Sequence, residues 1–135
     1  MTNDTPKIFR FILQVSDLKA ATDFYDKLLD IPGRSVGGAR VYYDCGPVIF
    51  AILDPTAGGE EAKPNADYIY FAVIDIKKIH ARASTLGCLS NELVHGESAG
   101  EIIKRPWGEL SFYVEDLWGN GLCFVDEKTL FRGSR

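Results

Sequence analysis

Alternate positions along several short stretches gather residues able to grip a ligand. In the segments 8–15, 40–44, 48–53, 68–73, 109–115 and 121–126, one parity carries Arg10, Arg40, Tyr42, Ala51, Tyr68, Tyr70, Glu109, Ser111, Tyr113 and Cys123. The other parity is apolar throughout, with Phe11, Leu13, Phe50, Ile52, Phe71, Phe112, Val114, Leu122 and Phe124 among its members. Side chains on a strand point to opposite faces in turn, so this pattern separates a core face from a mixed face. A guanidinium on the mixed face can hold a carboxylate or phosphate through two parallel N–H bonds. Tyrosine walls with a few convergent polar groups are what a small-molecule pocket offers. The residues expected to bind ligand are therefore Arg10, Arg40, Tyr42, Tyr68, Tyr70, Trp107, Ser111, Tyr113 and Cys123. Trp107, in Arg105-Pro106-Trp107-Gly108, reads equally well as a lid or as a packed loop residue.

No catalytic constellation stands beside them. Cys123 lies between Leu122 and Phe124 with no histidine placed to activate it, which describes a buried, inert thiol. His80 falls off the apolar stripe of a helix and reads as a surface residue; His95, in the polar segment 91–100, reads the same way. There is no Ser/His/Asp set, and Gly37-Gly38 and Gly58-Gly59 lack the context of a phosphate-cradling loop.

The elements that must position these residues follow from periodicity and punctuation. Residues 8–15 read as a strand, and Ser16-Asp17 then supplies a helix cap. Ala21, Phe24, Tyr25, Leu28 and Leu29 form one helical stripe, closed by Asp30-Ile31-Pro32-Gly33. Strands 40–44 and 48–53 meet at a tight Cys45-Gly46-Pro47 turn. Residues 55–66, with Pro55, Gly58, Gly59 and Pro64, read as an exposed linker. The pattern then restarts: strand 68–73, a helix with Ile76, Ile79, Ala83 and Leu86 on its stripe and Gly87 as its stop, and strands 101–105, 109–115 and 121–126. At an offset of 58 residues Val15 pairs with Val73, Asp17 with Asp75, Lys19 with Lys77 and Leu28 with Leu86. Such internal repetition identifies two modules, at 7–54 and 67–128, within a single domain of 135 residues.

Composition narrows the function classes. An apolar fraction of 46% excludes a disordered chain, and a net charge of −4 disfavours nucleic acid, which needs a basic face. No apolar run approaches the roughly 18 residues of a membrane span, and residues 1–7 are too short and polar for a signal peptide. Cys45, Cys88 and Cys123 are odd in number and widely spaced, so they read as reduced thiols in the cytoplasm.

Val15-Ser16-Asp17-Leu18 with Phe24-Tyr25, and Asp116-Leu117-Trp118-Gly119-Asn120 before the last strand, resemble two hallmarks of the glyoxalase/bleomycin-resistance/extradiol-dioxygenase (vicinal oxygen chelate) superfamily. These are V-x-D-L-x(5)-F-Y and D-P-x-G-N-x(2)-E, with Leu117 in place of the proline. The resemblance implies an α+β fold of two βαβββ modules, each curling its sheet into half of a cup with the helices outside. It also implies a homodimer in which modules pair within one chain or across two. Metal-dependent members take His, Gln or Glu ligands at positions that here hold Arg10, Ala51, Tyr68 and Cys123. Arginine has no free lone pair, alanine has no donor, and a phenol with a lone thiol is a poor substitute. The expectation is a metal-independent and cofactor-free protein that binds or sequesters a small anionic or aromatic molecule. The alternative is an enzyme of the same superfamily, a lyase, isomerase or dioxygenase, with atypical active-site residues. A cationic glycopeptide such as bleomycin would be repelled by the arginines.

Overall fold

The computed structural model describes residues 4–133. The chain divides between Lys63 and Pro64, inside the expected linker, into two compact units. In the first, strand β1 (Arg10–Gln14) runs directly into helix α1 (Leu18–Leu29). Asp17 is extended, and its carboxylate accepts the Ala20 N–H at 3.0 Å, satisfying one of the amides a helix leaves open at its start. Strands β2 (Arg34–Gly37), β3 (Arg40–Cys45) and β4 (Val48–Leu53) complete a sheet of order β1-β4-β3-β2. β1 is parallel to β4 and the other pairs are antiparallel. β2 was not expected: its Arg-Ser-Val-Gly sequence has no apolar alternation, because all four residues are exposed at the sheet edge.

One face of this sheet packs against α1. Leu13, Val41, Tyr43, Phe50 and Ile52 meet Ala21, Phe24, Tyr25 and Leu28, all buried. Tyr25 and Phe50 sit edge to face at 5.3 Å, and each such buried side chain contributes about 1.5–3 kcal/mol relative to exposure. The Tyr43 hydroxyl donates to Asp26 Oδ1 at 2.6 Å, and the same oxygen accepts the Gly33 N–H at 3.0 Å. A Cβ on Gly33 would approach Val41 to 2.5 Å and the Tyr43 ring to 2.8 Å, so the chain can pass this close only as glycine.

The second unit repeats the scheme. Strand β5 (Ile69–Val73) leads into α2 (Ile76–Leu86), whose cap Asp75 accepts the Lys78 N–H at 3.2 Å and whose end is Gly87 at φ 69°. A short hairpin, β6 (Leu93–Val94) and β7 (Glu97–Ser98), is inserted before β8 (Ile103–Lys104), β9 (Leu110–Glu115) and β10 (Gly121–Asp126). The sheet order β5-β10-β9-β8, with β5 parallel to β10, has the connectivity of the first sheet. The fold is thus α+β, two βαβββ modules, as the internal repeat implied. Among the described residues no helix is long and apolar enough to cross a membrane.

The turn between β9 and β10 explains the Asp-x-x-Gly-Asn motif. Buried Asp116 accepts the N–H groups of Trp118 at 2.9 Å and Asn120 at 2.8 Å through Oδ1, while Oδ2 takes the Asn120 side-chain amide at 2.9 Å. Asn120 Oδ1 then accepts the Asn65 N–H, and Asn65 returns a bond to the Gly121 N–H at 3.0 Å. The motif therefore ties the final hairpin to the chain that enters the unit. Leu117, exposed, takes no part in the bonds of this turn.

Candidate functional site

Strand register places the expected residues of the first unit on one face, the side away from α1. Arg10 is opposite Ile49, Ile12 and Tyr42 are both opposite Ala51, and Arg40 and Gln14 are both opposite Leu53. Pairing of β2 with β3 adds Arg34, opposite Tyr42, and Asp44 shares the row of Arg10. Arg10, Arg40 and Tyr42 line a shallow open cleft of about 360 Å³ with Ile12, Val36 and Gly38. The Arg10 guanidinium is exposed yet spread over aromatic rings, 4.9 Å from the centre of Phe9 and 5.7 Å from that of Tyr42. Arg34 also lies over Tyr42, at 5.8 Å, but it is held by Asp44 through two 2.9 Å bonds. That pair raises the pKa of the guanidinium and lowers that of the carboxyl, through the hydrogen bond first and charge second for Arg34.

Arg40 is oriented by its own turn. Its Nη1 donates to the Gly38 carbonyl at 3.3 Å, and a Cβ on Gly38 would sit 2.7 Å from that nitrogen. Gly38 is also left-handed, at φ 60°, so glycine both shapes the turn and leaves room for the guanidinium. Among the described residues neither Arg10 nor Arg40 has an acidic partner. Spacing alone could not show this, because it depends on which arginine Asp44 reaches.

In the second unit the equivalent face is largely covered by its own chain. Tyr113, Cys123 and Val125 are buried with Ala99, and Tyr68, Val94 and Leu130 pack against them. Ser111 is 1% exposed and Tyr113 2%. Burial pushes the Cys123 thiol up to about 11 and holds the Tyr113 phenol far above its ordinary range, so both stay protonated near neutral pH. Tyr70, 55% exposed, and Trp107 line a cleft of about 500 Å³ with Leu130 and Phe131. Trp107 is a half-buried loop residue: its indole N–H donates to Glu109 Oε1 at 2.7 Å, and Glu109 Oε2 accepts the Phe131 N–H at 2.9 Å. Tyr68 borders a smaller cleft of about 200 Å³ and meets the Tyr113 ring edge to face at 4.7 Å.

Three findings revise the reading from sequence. His80 is not a surface residue: it is half-buried, its Nε2 lies 2.9 Å from the Gly100 carbonyl, and its ring stands edge-on to Phe112. The apolar parity is not wholly covered, since Phe11, on the edge strand β1, is 42% exposed. Arg105, unremarked beyond its place beside Trp107, proves to be the buried cation of the second unit. It donates to the carbonyls of Ser98, Ala99, Glu101 and Ser111 and to the Ser111 hydroxyl, with Tyr113 5.2 Å beneath it. The only sequence signal was an arginine preceding Pro-Trp-Gly, which says nothing of burial.

The positions that carry metal ligands in related proteins do not fit a divalent ion here. Arg10 and Ala51 offer no donor, and Tyr68 and Cys123 present a phenol and a thiol that burial holds in the protonated form. Among the described residues no three His, Cys, Asp or Glu side chains gather as a metal-holding group.

The structure is similar to solved proteins over nearly its whole length. A glyoxalase/bleomycin resistance protein from Albidiferax ferrireducens T118 is 23% identical, with a TM-score of 0.71, covering 88% of this chain and 98% of that one. The oxidase ChaP-H2 is 22% identical, with a TM-score of 0.70 over 90% and 94%. A lactoylglutathione lyase from Agrobacterium tumefaciens is 19% identical, with a TM-score of 0.63 over 93% and 97%. At these identities the likeness is one of fold. No curated protein sequence matches the chain significantly. The family profile described as Glyoxalase/Bleomycin resistance protein/Dioxygenase superfamily matches residues 7–124. With its two βαβββ modules, its V-x-D-L and D-x-x-G-N motifs and this match, the chain belongs to the glyoxalase/bleomycin resistance/dioxygenase superfamily.

Proposed function

We propose that this protein binds a small molecule bearing an anionic group and an aromatic ring, without a metal, on the first unit's face opposite α1. The observation that carries the reading is the pair of guanidiniums, Arg10 and Arg40, that flank Tyr42 and have no acidic partner among the described residues. A carboxylate held by either would gain charge-assisted bonds, and the rings supply flat contact area. Tyr70, Trp107 and Tyr68 offer aromatic walls in the second unit, while buried Ser111, Tyr113 and Cys123 act as their support. Isothermal titration with benzoate tests this. Arg10→Ala should weaken binding by about 1.5–3 kcal/mol, roughly tenfold or more, and prior treatment with EDTA should leave the affinity unchanged. An affinity abolished by EDTA, or indifferent to Arg10→Ala, would overturn the proposal.

The protein acts as a homodimer in the cytoplasm on this reading. β1 is a sheet edge, and along it Ile8, Phe9, Phe11 and Ile12 are 67, 58, 42 and 48% exposed, an apolar margin that a second copy would cover. Cys45, Cys88 and Cys123 are free thiols, as suits a reducing compartment. Light scattering at micromolar concentration should give about 30 kDa, twice the 15.0 kDa chain; a monomer throughout a dilution series would rule the dimer out.

A further inference from the structure

We infer that the first unit's cleft takes a ligand with two anionic groups, set at opposite ends of one flat ring, an inference that rests on the anion-binding function proposed above. The charged residues that the four strands place on this face are Arg10, Arg34, Arg40 and Asp44, three cations and one acid, a net +2 from these four on a chain of net −4. Asp44 cancels only Arg34, with both of its oxygens engaged by that guanidinium. Two positive charges therefore remain for a ligand, and they are not side by side. Arg10 stands in the row of Ile49 and Arg40 in the row of Leu53, four residues apart along β4, or about 13 Å.

The two side chains leave those rows in different directions. Arg10 leans over Tyr42, which is one alternate position, about 7 Å, from Arg40 along β3. Arg40 is turned back toward Gly38 at the other end of the same cleft. A single anionic group reaches one guanidinium and leaves the other uncompensated. A ring with acids at both ends reaches both while its body lies along the cleft between them. Existing contacts lower the ordering cost at both ends, because Arg10 is already held by two rings and Arg40 by a carbonyl.

Three rigid probes separate span from charge: benzoate with one carboxylate, phthalate with two on adjacent carbons, and terephthalate with two at opposite ends. Titrated into the intact protein at fixed ionic strength, terephthalate should bind about tenfold tighter than either of the others. Arg10→Ala and Arg40→Ala should each bring terephthalate down to the benzoate level. The charge-neutral double variant R34A/D44A should leave it within about twofold. If terephthalate is no tighter than phthalate or benzoate while Arg10→Ala still weakens benzoate, the two-ended ligand is wrong and the anion site stands. If none of the three acids binds at millimolar concentration, both fall.

Discussion

Arg105→Ala should lower the stability of the protein by about 3–5 kcal/mol, the order observed when one side of a buried charged cluster is removed. The guanidinium is 2% exposed and makes five hydrogen bonds, from 3.0 to 3.4 Å, four of them to main-chain carbonyls. Among the described residues no carboxylate pairs with it, so carbonyl dipoles and the Tyr113 ring supply the compensation for its lost hydration. Truncation removes a charged donor from all four carbonyls, although Ala99 keeps the Tyr113 N–H at 2.7 Å; a buried carbonyl so weakened costs roughly 1–3 kcal/mol, and a cavity opens over Tyr113. Thermal unfolding should show a Tm lower by about 10–20 °C, and the urea midpoint should fall with it. Arg105→Lys should recover little, because one ammonium cannot reach carbonyls on both Ser98 and Ser111. A variant within 1 kcal/mol of the parent would mean that the segment carrying Ser98 and Ala99 is held by other contacts.

Asn120→Ala should cost about 2–4 kcal/mol. Asn120 is fully buried and joins the β9–β10 turn to the chain entering β5: its amide donates to Asp116 and its carbonyl accepts from Asn65. Its loss removes the amide donor to Asp116 Oδ2 and the acceptor of the Asn65 N–H, and a hydrogen bond lost from a buried group costs roughly 1–3 kcal/mol. The β9–β10 hairpin and the chain entering β5 would loosen together, so hydrogen exchange should rise at Asn65 and Gly121 and not at the buried residues of α1. Unchanged exchange at those two amides, with stability intact, would show that the motif is dispensable to the turn.

Much of this molecule is legible in the chain because the relevant forces are local. Ser16-Asp17 is read as a cap and Asp75 as the repeat partner of Asp17, since a side-chain oxygen three residues before an open amide is a matter of covalent reach; the structure has both aspartates in that position. Phe24, Tyr25 and Leu28 are read as a buried stripe from helical period alone. The mixed and apolar faces follow from period two, and pairing places Arg10, Ile12, Tyr42 and Ala51 on one side as that period requires.

The tertiary structure decided what each face meets. Period two names the side on which Cys123 and Tyr113 lie; it does not say that residues 94–99, Arg105 and Leu130 come back to bury them. β2 has too few apolar residues to announce itself and forms because the edge of β3 needs a hydrogen-bond partner, while β6 and β7, two residues each, are too short for a period and pair with one another as a separate two-stranded sheet. The same holds for charge. Sequence puts Arg10 and Arg40 on the face of Tyr42, but only the meeting of β2 with β3 adds Arg34, brings Asp44 to it and leaves Arg10 and Arg40 without an acid among the described residues. Covalent reach and periodicity act within a few residues, whereas burial and ion pairing depend on groups brought together from far along the chain.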